Sequence, residues 1–288
     1  MKKFDWTKSQ NVTREMADAY AQDGFLLIEN FKSDAACDAL RARCDQLVDQ
    51  FDPSQVQSIF STSGQDHARD HYFKQSGGNI SYFFEEGAFD AGGELVVDKT
   101  VALNKLGHAM HDLDDEFHRF SHGPDLDNLA KGIGLRLPQI MQSMYIFKQP
   151  RIGGEVHPHQ DATFLYTDPI SVTGFWFALE DADASNGAML AVPGGHKESL
   201  RQRFHYEDGD LRMETLDPAP LSTSGEICLE ARKGSLIVLH GLLPHRSTPN
   251  TSPRSRHAYT LHVIDGETHW AEDNWLQRPA EMPAVGFV

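Results

Sequence analysis

Cysteine is scarce in this chain: its 288 residues carry only Cys37, Cys44 and Cys228. Three thiols cannot make a disulfide framework. Cys37 and Cys44 fall on one face of an expected helix, so buried small hydrophobes are the reading. Basic charge is scarce too. The 26 Lys plus Arg stand against 42 Asp plus Glu, a formal charge of -16, which disfavours nucleic acid and anionic lipid as partners. Long apolar runs are missing: nothing reaches the about 18 uninterrupted apolar residues of a membrane span. The start, Met1-Lys2-Lys3-Phe4-Asp5-Trp6, lacks the apolar core of a signal peptide. The end, Val285-Gly286-Phe287-Val288, matches neither a peroxisomal nor an ER-retention signal. A cytoplasmic location with no membrane partner is expected.

What is present suits a globular protein. Apolar residues make up 40% and charged residues 24%, ordinary values for a chain long enough to bury a full core in one domain. The first half reads mainly as helix. Thr13 opens a helix that Gly24 closes, Phe25-Leu26-Leu27-Ile28 reads as a buried strand, and Ser33 caps a second helix. That helix places Cys37, Leu40, Cys44, Leu47 and Phe51 at helical spacing and stops at Asp52-Pro53. Residues 54 to 80 are polar and read as a loop or lid, Ser81 to Phe84 as a strand, and Asp90-Ala91-Gly92-Gly93 as a turn. A helix over Ala102 to Phe120 would carry Lys105, His108 and His111, and another would span Asp125 to Gly132.

From Gln139 the texture changes to short β runs: Ser143 to Lys148, Glu155 to Tyr166, Val172 to Leu179, Ala188 to Val192, Glu226 to Leu229, Ser235 to Leu239 and His257 to Val263. Many short strands at close spacing indicate a mainly β sandwich or barrel with α additions. Residues 194 to 224 are the one long insertion, and Arg201 to Glu214 within it is placed to cover a barrel mouth.

The run His157-Pro158-His159-Gln160-Asp161-Ala162-Thr163-Phe164 carries the chemistry. Side chains two apart on a strand leave from the same face, so His159 and Asp161 can converge on one metal while Gln160 points away. Gly153-Gly154 before them allows close backbone approach. The apolar strand ending near His240 and His245 offers two candidates for a third ligand. Two histidines and one carboxylate on one side of a metal, other positions open, are the facial triad of non-haem Fe(II) oxygenases. His157 shares the parity of the pair and reads as a residue at the mouth or surface, and His240 competes with His245 but can equally be a hydrogen-bonded core histidine. Arg256 begins the next strand, where a guanidinium can grip a carboxylate with two hydrogen bonds. Arg254 reads as a surface ion pair.

Several strings resemble the phytanoyl-CoA dioxygenase family of Fe(II)- and 2-oxoglutarate-dependent oxygenases. They are Asp23-Gly24-Phe25-Leu26, Gln142 to Pro150, Gly153-Gly154-Glu155, His159-Gln160-Asp161-Ala162, Phe164-Leu165-Tyr166-Thr167 and Asn186-Gly187 to Pro193-Gly194-Gly195-His196. The resemblance implies one domain over 1–288: a double-stranded β-helix (jelly-roll, cupin-like) core at 139–270, flanked by a mainly helical part and lid at 1–138 and a tail at 271–288. It implies iron on His159, Asp161 and His245. It also implies 2-oxoglutarate held by Arg256 and Ser247, with Lys105, Met144 and Trp176 as further contacts. Gly195, where the family often has Ser, and His157, in place of a small residue, are departures. The implied activity consumes O2 and 2-oxoglutarate, hydroxylates a small organic or acyl-type substrate and releases succinate and CO2. Because Asp161 fills the place that related halogenases leave open for chloride, hydroxylation is the expected outcome. Two rivals remain: a non-oxidative cupin-like isomerase or lyase using Zn or Mn, and a 2-oxoglutarate-binding protein without turnover. Arg201, Arg203 and Arg212 are the only basic cluster that suggests itself for the phosphates of an acyl-CoA.

Overall fold

A computed structural model describes residues 1–56, 58–59 and 71–288. The first helices form where their caps predict. The Thr13 hydroxyl accepts from the Met16 N–H at 3.2 Å to start Arg14–Asp23, and Gly24, at φ +80°, donates its N–H to Tyr20 to end it. The Ser33 hydroxyl likewise accepts from the Ala36 N–H ahead of Asp34–Gln50, whose Cys37, Leu40, Cys44 and Leu47 are all buried. Burial raises the Cys37 thiol to about 11 and holds the Cys44 thiol well above its ordinary value, so both stay protonated as inert core groups.

Among the described residues, the main sheet has eight strands. Their order is Lys3–Asp5, Phe25–Glu29, Leu236–His240, Thr173–Ala178, Ala258–Asp265, Pro138–Ile146, Leu103–His108 and Ile80–Phe84. All neighbours are antiparallel except the first pair. A smaller sheet runs Ile227–Leu229, Met189–Ala191, His245–Ser247 and Val156–His159. From residue 138 onward the chain passes back and forth between the two sheets, so side chains from distant parts of the sequence meet between them.

The period of two along each central strand separates two roles. Tyr145, Phe175, Phe177, Tyr259, Leu261 and Val263 pack into the core shared with the helices, together with Leu40, Cys44, Phe117 and Leu129. The alternate residues Gln142, Met144, Gly174, Trp176, Thr260 and His262 line a cavity on the other face. Each large apolar side chain fully buried on the helix face contributes roughly 1.5–3 kcal/mol, which holds the cavity face in register.

Three sequence expectations need correction. Ala102 to Phe120 is not one helix: Lys99–Ala102 is followed by the strand Leu103–His108, then by the short helices Met110–Leu113 and Asp115–Ser121. The segment is paired on both sides, with Ile80–Phe84 and with Pro138–Ile146, and this tertiary pairing overrides its helical spacing. Asp114 then starts a fresh helix by accepting from the Glu116 and Phe117 N–H groups. The expected strand from Glu155 to Tyr166 stops at His159, and Asp161–Thr163 is a 3-10 turn. Within the expected loop at 54 to 80, His71–Gln75 is helical and Ser76–Gly78 is a 3-10 turn. Residue 57 and residues 60–70, on which much of the lid reading rests, lie outside the described residues. No helix among the described residues is long and apolar enough to cross a membrane.

The insertion at 194 to 224 folds into a hairpin, Gln202–Glu207 with Asp210–Thr215. Arg201, Gln202, Phe204 and Met213 at its inner side form part of the cavity wall, as a cover over the mouth would.

Candidate active site

His159 ends the strand Val156–His159 and stands opposite His245, the first residue of His245–Ser247. Their ring centroids are 4.3 Å apart. Each ring points its Nδ1 at the backbone carbonyl two residues earlier: His159 to His157 at 2.8 Å, His245 to Leu243 at 3.0 Å. Donation to those carbonyls puts the ring proton on Nδ1 and leaves Nε2 as a free lone pair. Gln160 keeps an extended backbone, so Asp161 returns to the same side, and its Oδ1 lies 3.7 Å from the Nε2 of both histidines. One donor atom from each of the three residues falls within 4.8 Å of the others. With metal bonds of about 2.0–2.2 Å, this set could hold a single cation after small side-chain adjustments.

The electrostatics agree with ligation. Burial, reinforced by His245, pushes His159 down to about 4, so the ring is neutral at pH 7. Burial alone would raise the Asp161 carboxyl, but His262, His245 and His159 around it hold it well below the usual carboxylate range. A neutral imidazole and an ionised carboxylate are the metal-binding forms.

Gln160 turns away, as its parity requires, and is fully buried. Its amide donates to the carbonyls of Ser199 at 3.2 Å and Leu242 at 2.9 Å, and its Oε1 accepts from the Arg201 N–H at 3.0 Å. It therefore joins the residue between two donors to the base of the hairpin and to the loop before His245.

A second cluster lies on the same cavity. Arg256 is 2% exposed, donates Nε to the Gly187 carbonyl at 3.2 Å and stacks over Trp176, with 5.3 Å from its guanidinium carbon to the ring centre. Its Nη1 is buried without a partner. Lys148 donates to Ser247 Oγ at 2.9 Å and to the Gly154 carbonyl. Lys105 lies with Nζ 3.7 Å from Met144 Sδ. Burial, opposed by Glu85, lowers Lys105 to about 7; burial and Arg256 lower Lys148 to about 7; burial lowers Arg256 to about 10. The structure thus brings Arg256, Ser247, Lys105, Met144 and Trp176 to one cavity with His159, Asp161 and His245.

The other two histidines weighed for this site, His240 and His157, fall outside the donor set. His240 accepts from the Leu242 N–H at 3.1 Å and packs against His196 and Tyr20. His157 is exposed and 3.9 Å from Glu155, and it lines the cavity rim. Arg254 pairs with Asp183 at 2.7 Å on the surface, as expected. Arg201 is committed to Glu198 and Asp217, Arg203 to Asp273, and Arg212 to Glu207. They form no free cationic patch for phosphates.

Sequence reasoning passed over Lys148, Gln142 and His262. All three carry a parity signal: Gln142, Met144, Ile146 and Lys148 share one period of two, and Arg256, Ala258, Thr260 and His262 share another. The cavity encloses about 260 Å³, and its wall away from the cationic cluster is apolar, with Phe73, Phe164, Phe204, Met213 and Trp275.

Residues 20–258 match the family model for phytanoyl-CoA dioxygenase (PhyH). The chain is 47% identical over 279 residues to a phytanoyl-CoA dioxygenase of Arabidopsis thaliana, covering 96% of this chain and 98% of that protein. It is 40% identical over 292 residues to phytanoyl-CoA dioxygenase domain-containing protein 1 of Danio rerio, covering 94% and 97%. Among solved structures, EctD from S. alaskensis with 2-oxoglutarate and 5-hydroxyectoine shares the fold at a TM-score of 0.65 and 17% identity, over 98% of this chain and 89% of that one. The epimerase SnoN in complex with Fe3+, alpha ketoglutarate and nogalamycin RO does so at a TM-score of 0.64 and 13% identity, over 95% and 94%. On the extent and identity of these matches, the chain belongs to the phytanoyl-CoA dioxygenase family.

Proposed function

We propose that the protein is an Fe(II)- and 2-oxoglutarate-dependent oxygenase, a single domain built on a double-stranded β-helix, that hydroxylates a small organic substrate. The observation that carries this reading is the convergence of two free Nε2 atoms and one ionised carboxylate oxygen, on a cavity that also holds a buried guanidinium with an unpartnered N–H group. The donor set is that of non-haem Fe(II) oxygenases. A 2-oxoacid with a second carboxylate has one end for each of the two clusters on this cavity, and the chain's structural neighbours include proteins crystallised with iron and 2-oxoglutarate.

When bound, iron and 2-oxoglutarate supply O2 activation coupled to oxidative decarboxylation, with release of succinate and CO2. The protein's own part is placement. His159, Asp161 and His245 would hold the metal, their Nδ1 bonds fixing the two rings. Arg256 would take the distal carboxylate of the co-substrate, with the Ser247 hydroxyl beside it held by Lys148. Lys105 and Met144 line the same cavity, and Trp176 keeps the guanidinium plane in place. The apolar wall and the hairpin keep bulk water from the reacting carbon.

The test is to incubate the purified protein with Fe(II), 2-oxoglutarate and O2, and to measure succinate against an anaerobic control. Oxygen-dependent succinate is the expected result. Turnover of a substrate with Zn or Mn and no O2 would instead establish the isomerase or lyase reading, and tight 2-oxoglutarate binding with no succinate would establish the pure binder.

A further inference from the structure

The donor Asp161 has two oxygens, and the reading above uses only Oδ1. Its Oδ2 lies 3.4 Å from Nε2 of His262, a buried histidine on the opposite sheet that no ligand role accounts for. The Nδ1 of that ring is 3.0 Å from the side-chain amide nitrogen of Gln142. An amide N–H donates, so Nδ1 accepts and the ring proton sits on Nε2, facing the carboxylate. The reverse amide orientation would place Oε1 on Nδ1, draw the proton there, and turn a bare lone pair toward an anion. Gln142 Oε1 is buried without a partner, so the contact with His262 is the one bond that can orient this amide.

Backbone register explains how the three groups come together. His262 pairs with Gln142 on one side and with Gly174 on the other. The three form a row across the main sheet, on its cavity face. A side chain at the third position would break the row, because a Cβ on Gly174 would stand 2.9 Å from Asp161 Oδ2. Gly174 is the gap through which the carboxylate reaches the imidazole.

We infer that His262, oriented by Gln142, is a positioning residue that holds Oδ2 of Asp161 and so presents Oδ1 alone to the metal. This rests on the metal-site reading proposed above. It makes the carboxylate a one-oxygen ligand and leaves the positions that a co-substrate and O2 need. Hydrogen-bonded partners of this kind change metal affinity by roughly 10–100-fold when removed.

The experiment is an anaerobic titration of the full chain with Co(II), whose d–d absorption reports the ligand set without turnover. His262→Leu is expected to raise the Co(II) dissociation constant by about 10–100-fold and to alter the band shape. His262→Gln, which restores an N–H toward Oδ2, should recover most of the affinity. Gln142→Leu should fall between the two, since the ring stays but loses its orientation. Unchanged affinity and spectrum in His262→Leu, with a parental melting curve, overturns the inference. If His262→Leu does not fold, Gln142→Leu decides: parental Co(II) binding there overturns it equally. A parent chain that binds no Co(II) overturns the metal-site reading itself, which separates the two failures.

Discussion

The two faces of the main sheet are built from the same strands, yet they do opposite things. Toward the helices, Tyr145, Phe177, Tyr259 and Leu261 are apolar and packed. Toward the cavity, at the adjacent position in each case, stand Met144, Trp176, Thr260 and His262. The helix face can be read as stability and the cavity face as chemistry. A residue's parity decides which it serves, because a shift of one position moves a side chain to the other side of the sheet.

Substitutions can break this division. The largest effect is expected at the residues proposed to hold the metal, where His159→Ala, Asp161→Ala or His245→Ala each reduce succinate production to background while melting temperature measured by circular dichroism stays near the parent's. A collapse of the fold in all three would assign these residues to stability and erase the contrast. On the opposite face, Phe177→Ala should cost about 3–5 kcal/mol in stability, read by urea unfolding, with the KM for 2-oxoglutarate unchanged in the folded fraction. Arg256→Met should do the reverse. Losing a charged hydrogen bond of about 1.5–3 kcal/mol raises that KM roughly 10–100-fold at about 1.4 kcal/mol per decade, while Co(II) affinity holds.

The smallest effect concerns pH. Burial lowers Lys105 and Lys148 to about 7, so both gain their charge only as pH falls through neutrality. An anionic co-substrate favours the charged forms. Its dissociation constant should therefore rise as pH goes from 6.5 to 7.5, by about threefold for each lysine that must take up a proton. Isothermal titration across that range checks the slope, and Lys148→Met should make it shallower. A flat profile in the parent would remove the lysines from co-substrate binding.

Much of this was legible in the sequence because local chemistry and tertiary environment agree there. Thr13, Gly24 and Ser33 mark their helix ends, and the spacing of His159 and Asp161 survives even though the strand ends between them, since Gln160 stays extended. Around Lys105 the spacing of Leu103 and Leu106 is compatible with a helix, and only pairing with two neighbouring strands makes it a strand. His262 and Lys148 were hidden for a different reason. Their importance depends on which partners stand across the cavity, and a single strand's sequence states a side chain's face but not what it faces. Following the parity of Met144 two steps to Lys148, and that of Arg256 three steps to His262, finds both.

Gln160 has a consequence beyond its immediate bonds. The peptide between two donor atoms is tethered to Ser199 and Arg201 at the root of the hairpin and to Leu242 just ahead of the third donor. Any load on the hairpin therefore has a hydrogen-bonded route to the backbone between His159 and Asp161, and truncating the Gln160 amide would uncouple the two.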